Sequence, residues 1–320
     1  MKTIFSTCTK AILFASMILF SQACSDSSDN NTAQSGDVEF QMTDAPSDDA
    51  NISGVFVTVI DVQVDGTSIS GFTKQTIDLK AFSEGNAKLL ATTRLAAKDY
   101  SNLTLVIDND TDASGAAPGS YVLTNDGVKY KLRSGGTISI TLNNSWTVAA
   151  NSKSTIILDF DIRKAVRQVS DPAIRYNFVS NDNLQASIRL MNQSKVGTIN
   201  GSYNETSSIT ADKIVVYSYK KGTFDQGIET TPQGDDAILF KNAVNSAEVK
   251  GSLSARSYKL AFVEAGDYEV YFASYKKDAS NHFIFQNKLA SQLSINGSAV
   301  SFVTVQAGVT SSVTSTITGL

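Results

Sequence analysis

Apolar and polar residues alternate with a period of two along most of the chain after Gly36, and that period predicts β-strands. Val38, Phe40 and Met42 fall on one face of a first strand. Residues 55–64 (VFVTVIDVQV) are largely β-branched and aromatic. Alternation places Phe56, Ile60, Val62 and Val64 on one face, with Val55, Val57 and Val59 on the other, which turns polar at Asp61 and Gln63. Leu103, Leu105 and Ile107 form another apolar stripe. Residues 121–123 and 128–132 flank Asn125-Asp126-Gly127, a turn sequence suited to a tight hairpin. Two more strands are predicted over 137–142 and 154–160. Helical spacing is sparse, with residues 87–95 and 162–169 each reading as two turns.

Further strands are predicted over 196–203, 213–219, 257–263, 266–275, 283–293, 299–305 and 311–317, separated by Gly/Asn/Asp clusters. Short strands at this spacing predict an all-β protein of two β-sandwich domains, 36–191 and 196–320. The boundary falls at 192–195 (NQSK), a polar stretch without an apolar residue. No period repeats along the chain, which argues against solenoids and propellers.

The N-terminus follows a different pattern. Lys2 and Lys10 bracket a basic region, and residues 11–20 (AILFASMILF) are an apolar run with Ser16 as its one polar residue. Ten helical residues rise about 15 Å, too short to span a bilayer core of about 30 Å, so residues 1–23 read as a signal peptide. It ends in Ser21-Gln22-Ala23-Cys24, which resembles the lipobox of bacterial lipoproteins, where the Cys is acylated. Cys24 is therefore the expected lipidation site, although Ser21 and Gln22 are unusual for that motif. Residues 24–35 then form a polar tether. Its Ser/Asp patch resembles the surface-export signal of Bacteroidota lipoproteins.

Composition narrows the chemistry. The chain of 320 residues holds 27 Lys+Arg, 31 Asp+Glu, two Cys and one His, for a net charge of −4. Removing residues 1–23 takes Lys2 and Lys10 with it, leaving 25 basic residues against 31 acidic ones. An acidic balance argues against nucleic acid as a partner. One His and two Cys exclude a His-rich metal cage, a zinc ribbon and a disulfide framework. Cys8 leaves with the signal peptide and Cys24 takes the lipid, so the folded body is expected to lack a thiol.

Several segments resemble a known family. Residues 36–46 (GDVEFQMTDAP), Ile77-Asp78-Leu79, Leu95-Ala96-Ala97-Lys98-Asp99-Tyr100, Asn125-Asp126-Gly127, and Leu158-Asp159-Phe160-Asp161 with Arg163-Lys164-Ala165 occur in the order found in the domain-of-unknown-function 4382 family. The turn at 95–100 lacks that family's Pro and Gly. The resemblance spans about 36–191 and implies a secreted or lipid-anchored β-domain with no assigned activity. In the second unit, Val196-Gly197-Thr198-Ile199-Asn200-Gly201 and Ala265-Gly266-Asp267-Tyr268-Glu269-Val270 resemble strands of transthyretin-like, carboxypeptidase regulatory-like domains. That resemblance implies an accessory or binding module.

Candidate chemistry is limited. Asp108, Asp110 and Asp112 alternate after a strand and are the candidate Ca²⁺ ligands, but the EF-hand places for Gly and Glu hold Ala113 and Gly119. No other cofactor is expected. Asp44, Asp48 and Asp49 flank Pro46, where an Asx-turn at Asp44 is the simpler reading. Asp159 and Asp161 share a strand face and could serve as an acid/base pair. His282 starts a strand and reads as a surface residue. No GxSxG, HExxH or P-loop is present. Tyr217 and Tyr219 share one face, and Tyr271 and Tyr275 lie with Glu269 on another. These four tyrosines are the candidate ligand-binding face.

Together these features predict an outer-membrane lipoprotein at the cell surface, held in the membrane by its lipid anchor. Its expected role is non-catalytic binding of a glycan or an envelope protein. The alternative is a fimbrillin-like subunit that donates its last strand, 311–317, to a neighbour. A carboxylate-based hydrolase is the third reading.

Overall fold

β1 (Ser35–Asp44) begins the folded chain, with Val38, Phe40 and Met42 fully buried as the alternation requires. The computed structural model describes residues 34–44, 49–206, 208–232, 234 and 236–320. The signal peptide, Cys24, the tether through Ala33 and Asp48 lie outside the described residues.

β2 (Ile52–Val64) departs from strict alternation. Its register against the neighbouring strand shifts between Val59 and Asp61, leaving Ile60 as an extra residue. The bulge reverses the parity of the strand. Val55, Val57 and Val59 before it and Val62 and Val64 after it therefore enter the same core, while Phe56 and Ile60 are only half-buried. Alternation alone had divided these residues between two faces.

β3 (Thr67–Ser68) and β4 (Gln75–Asp78) pair with β2. β5 (Lys88–Ala96) pairs antiparallel with β1, so the turns expected at 87–95 are a strand. From Ala91 onward its exposure alternates residue by residue, and Thr92 and Thr93 carry the β-branching that a strand favours. β6 (Asp99–Tyr100), β7 (Leu103–Asp108), β8 (Tyr121–Thr124), β9 (Lys129–Lys131), β10 (Thr137–Leu142), β11 (Trp146–Thr147) and β12 (Lys153–Phe160) follow. β8 and β9 form the hairpin around Asn125-Asp126-Gly127, with Gly127 at φ +82°.

The segment expected to be helical over 162–169 splits into α1 (Ile162–Ala165) and β13 (Val166–Gln168), which pairs with β14 (Tyr176–Phe178). α2 (Asn181–Ala186) and β15 (Ile188–Asn192) complete the first half. One sheet runs β15-β12-β1-β5 with β12 parallel to β1. Another has β10-β7-β2-β8-β9 along its path. The two sheets enclose the first core.

The second half contains β16 (Val196–Glu205), β17 (Lys213–Lys220), α3 (Gln226–Glu229), β18 (Asn245–Glu248), β19 (Arg256–Glu264), β20 (Gly266–Lys277), β21 (Phe283–Ile295), β22 (Ser298–Val300), β23 (Val303–Val305) and β24 (Thr310–Gly319). Its main strand order is β18-β17-β20-β21-β24-β16-β19. Just past the end of β18, Lys250 exchanges two backbone hydrogen bonds of 2.8 Å with Ser257 of β19, so the sheet curls toward closure like a barrel. Gly201 is required where the Tyr258 ring crosses β16, because a Cβ there would lie 1.9 Å from the ring. β24 is inserted between β21 and β16 and buries Val313, Ser315 and Ile317. Donation of this strand to another chain would require breaking both ladders.

Candidate functional site

The two halves meet along a seam built at the C-terminal ends of β1 and β12. Asp44 ends β1 and accepts the Ile162 N–H at 3.0 Å, which fixes the start of α1. Arg163 on α1 reaches the second half. Its guanidinium donates to the carbonyls of Leu239 at 2.5 Å and Phe240 at 3.4 Å, and to Asp161 at 3.1 Å. Lys164 donates to the Ala243 carbonyl at 2.6 Å and lies 3.6 Å from Asp161. Arg189 on β15 pairs with Asp159. Burial of charge without such partners would be strongly unfavourable. Asp159 and Asp161, the candidate acid/base pair, are thus each matched to cations within the seam.

A buried aromatic layer backs this ion cluster. Phe240, at φ +49°, stacks on Tyr217 with ring centroids 4.1 Å apart. Tyr217 and Tyr275 join hydroxyls at 2.6 Å, and the Tyr219 hydroxyl donates to buried Glu229 at 2.8 Å. Tyr217, Tyr219 and Tyr275 are 0–1% exposed. That burial corrects the expected binding face, because none of these three rings has a face left for a ligand. Burial, then the Glu229 hydrogen bond, pushes the Tyr219 hydroxyl's pKa far upward. Tyr271 is half-buried, stacks on Phe224 at 3.9 Å and bonds Glu269 at 3.1 Å.

Beside this layer the seam opens into a cavity of about 330 Å³. Ile52, Val166, Tyr176, Ile238, Phe283 and Ile284 supply its apolar walls. Asp49, Gln168, Arg167, Asp236 and His282 supply its polar groups. The cavity continues past Arg167, Asp236 and Ile238 into an open trough of about 710 Å³ lined by Arg133, Asn177, Asn183 and Lys241.

The carboxylates here are already paired. Asp49 accepts from the Tyr176 hydroxyl and the Gln168 amide, both at 2.5 Å. Burial, then the Asp49 hydrogen bond, raises the pKa of the Tyr176 hydroxyl. Asp236 accepts from Asn183 at 2.5 Å and from the Ser180 hydroxyl at 3.0 Å, with Arg167 at 3.5 Å. Burial pushes the Asp236 carboxyl up, but these donors outweigh it and hold its pKa below the usual carboxylate value.

His282 belongs to this seam rather than to open surface. It forms a backbone bridge with Asp49, and its Nδ1 lies 3.3 Å from the Asp278 carboxylate. Its Nε2 is shielded from solvent and has no hydrogen-bond partner among the described residues. An oriented imidazole resembles half of a nucleophile-activating pair, but no Ser or Thr hydroxyl of the described residues bonds that Nε2.

Asp108, Asp110 and Asp112 do not converge. Asp108 holds Lys74 at 2.8 Å and the Asp110 N–H at 2.7 Å. Asp110 holds Lys131 at 2.9 Å and the Gly136 N–H at 2.7 Å. Asp112 closes its own turn through Ser114 and Ala116. Burial pushes the Asp108 carboxyl up, yet the Lys74 contact and backbone donors bring its pKa down to about 2. Among the described residues, no group of three or more His, Cys, Asp or Glu is arranged to hold a metal ion.

Arg167, Gln168, Tyr176, Asp236 and Phe283 were not singled out by their positions in the sequence.

Residues 35–179 match the family described as Domain of unknown function (DUF4382). The matched segment includes Asp44, Asp159, Asp161, Arg163 and Tyr176, the first half's side of the seam. No curated protein matches the chain. Among solved structures, the Bacillus anthracis TIE protein aligns over 89% of this chain at 11% identity and a TM-score of 0.16, and this chain covers 34% of that protein. The major pilin subunit BcpA of Bacillus cereus aligns at 9% identity over 89% of this chain and 70% of that one, with a TM-score of 0.21. The major pilin protein T-13 of Streptococcus pyogenes gives 11% identity, 89% and 96% coverage, and a TM-score of 0.20. At such scores these similarities carry no argument about role.

Proposed function

We propose that this is a non-catalytic binding protein of the bacterial envelope, anchored in the outer membrane through lipid on Cys24 and displayed at the cell surface. The observation that carries the binding role is the seam cavity, a concave site with apolar walls and a few fixed polar groups. The anchor is supported by the signal-like segment ending in Cys24. The ligand class is glycan, favoured by a site that combines aromatic walls with hydrogen-bonding side chains.

The test has two arms. Palmitate labelling should mark the wild type and not Cys24→Ser, and protease added to intact cells should release the protein. The purified mature lipoprotein in detergent should bind members of a glycan array. An unlabelled, protease-protected protein would refute the location, and a blank array would refute glycan binding.

A further inference from the structure

We infer that the trough beyond the seam cavity holds an acidic oligosaccharide, its carboxylate or sulfate groups on Arg133 and Lys241 and its hydroxyls on Ser134 and Asn177. This rests on the glycan-binding reading above.

Fixed backbone carries the trough's cations. β13 and β14 set Arg167 directly opposite Asn177 in their ladder, so both side chains stand on one face. The Phe178 N–H donates to the Leu132 carbonyl at 2.8 Å, which brings Arg133 and Ser134 alongside β14. Lys241 follows Phe240, whose N–H donates to the Glu229 carbonyl at 2.8 Å and whose carbonyl accepts from Arg163.

The lining reverses the sign of the chain. Among the described residues it holds three cations, Arg133, Arg167 and Lys241, against one carboxylate, Asp236, in a protein of net charge −4. Asp236 is matched to Arg167 at 3.5 Å. Arg133 donates to Asn181 Oδ1 at 2.7 Å and to the Val179 carbonyl at 3.4 Å. Two of its five N–H groups thus anchor the guanidinium and three are left for a ligand. Lys241 is exposed and makes no ion pair or hydrogen bond with another described residue. An anion in the trough would therefore meet two cations that no carboxylate of the described lining balances. The planar fork of Arg133 fits a carboxylate and a sulfate alike, with Lys241 as a point charge beside it.

Charge alone would admit any anion, and the rest of the lining selects among them. The Ser134 hydroxyl and the Asn177 amide line the trough, and neither side chain bonds another described residue. Both can donate and accept, as the hydroxyls of a sugar do. Half-buried Ile238, shared by the trough and the seam cavity, offers apolar surface to the C–H face of a ring. A densely charged chain such as nucleic acid needs a broad basic face, which this acidic protein lacks. An acidic glycan spaces its charges by whole sugar units and suits two cations in an open trough.

The probes are short oligogalacturonates and short sulfated dextrans, each beside its uncharged counterpart, titrated into the mature lipoprotein. At least one acidic probe should bind, and which one binds tells carboxylate from sulfate. The uncharged counterparts should bind at least about tenfold more weakly. Lys241→Gln should weaken binding by about tenfold, the loss expected for one hydrogen bond to a charged group, and Lys241→Glu by about a hundredfold. Both proteins should melt with the wild type, since Lys241 bonds nothing in the described fold. Arg133→Gln should also cost about tenfold. Raising NaCl from about 0.05 M to about 0.5 M should weaken the wild-type complex by screening. Failure of both acidic probes, or acidic binding that survives Lys241→Glu and Arg133→Gln, would overturn this site; neutral array hits would then leave the glycan-binding reading intact. Equal binding of single-stranded DNA at the same salt would also overturn it, because charge alone would then account for the contact. A blank array would overturn both.

Discussion

The guanidinium of Arg163 lies over the ring of Tyr217, 5.2 Å from its centroid, and joins a short helix of the first half to a central strand of the second. The same group donates to the carbonyls of Leu239 and Phe240, so it also holds the segment that walls the cavity. Replacing Arg163 with Ala would leave Asp161 and these carbonyls short of a buried donor. Urea denaturation should show a loss of about 3–5 kcal/mol. Arg163→Lys should recover less than half of it, because a single ammonium cannot reproduce the planar fork. A loss below about 1 kcal/mol, the range of an exposed pair, would show that the contact does not fasten the halves.

The tyrosines make the opposite case to a binding face. Tyr217→Ala should cost about 3–5 kcal/mol by the large-to-small rule, and Tyr217→Phe, which removes only the hydroxyl shared with Tyr275, about 1 kcal/mol. Tyr217→Phe should leave glycan affinity unchanged. A folded Tyr217→Phe protein that loses glycan binding would return this residue to the binding surface.

Most strands of the second half were legible from apolar runs bounded by Gly/Asn/Asp clusters, and β16, β17, β20 and β24 begin within one residue of where the pattern places them, whereas β18 was not predicted. The sidedness of that pattern was less legible. Tyr217 and Tyr219 do share a face, but period two cannot say whether a face meets water or another layer. Here Phe240 covers it. Phe240 comes from an irregular segment whose positive φ values at Ala237 and Phe240 no periodicity announces. In β2, the single extra residue Ile60 moved Val62 and Val64 onto the face of Val55, Val57 and Val59. The seam escaped sequence reading for a related reason. Tyr176, Asp49 and His282 lie far apart in the chain and meet only through tertiary packing.

Calcium offers a separate check. Asp108, Asp110 and Asp112 each spend their oxygens on different donors, two of them lysines. Binding a cation would require releasing Lys74 and Lys131. Millimolar CaCl₂ should therefore leave the melting temperature within about 1 °C of an EDTA-treated sample, since a ligand stabilises only in proportion to its occupancy of the native state. Asp108→Asn should destabilise in both buffers alike, through loss of the Lys74 pair. A Ca²⁺-dependent rise that disappears in Asp108→Asn would establish a metal site in this loop.

Lys164 gives the seam a pH signature whose sign can be worked out. Burial is the main cause that brings its pKa down to about 8; Asp161 and Asp159 oppose the shift, while Arg163 and Arg189 add to it. In the unfolded chain the ammonium returns to an ordinary lysine value of about 10.4. Below about pH 8 both states hold the proton, and the folded state bears the full cost of a buried ammonium. Between pH 8 and 10 the unfolded state binds more protons than the native one, so stability must rise with pH. The limiting slope for one such group is about 1.4 kcal/mol per pH unit. The window closes near pH 10, where the raised hydroxyl pKa values of Tyr176 and Tyr219 act in the opposite sense. Urea melts at pH 8.0, 8.8 and 9.5 should therefore show wild type gaining more stability than Lys164→Met, which keeps only the rise from Lys80, whose pKa burial also lowers. Parallel pH profiles for the two proteins would mean that Lys164 keeps its proton within the seam, held there by Asp161 at 3.6 Å.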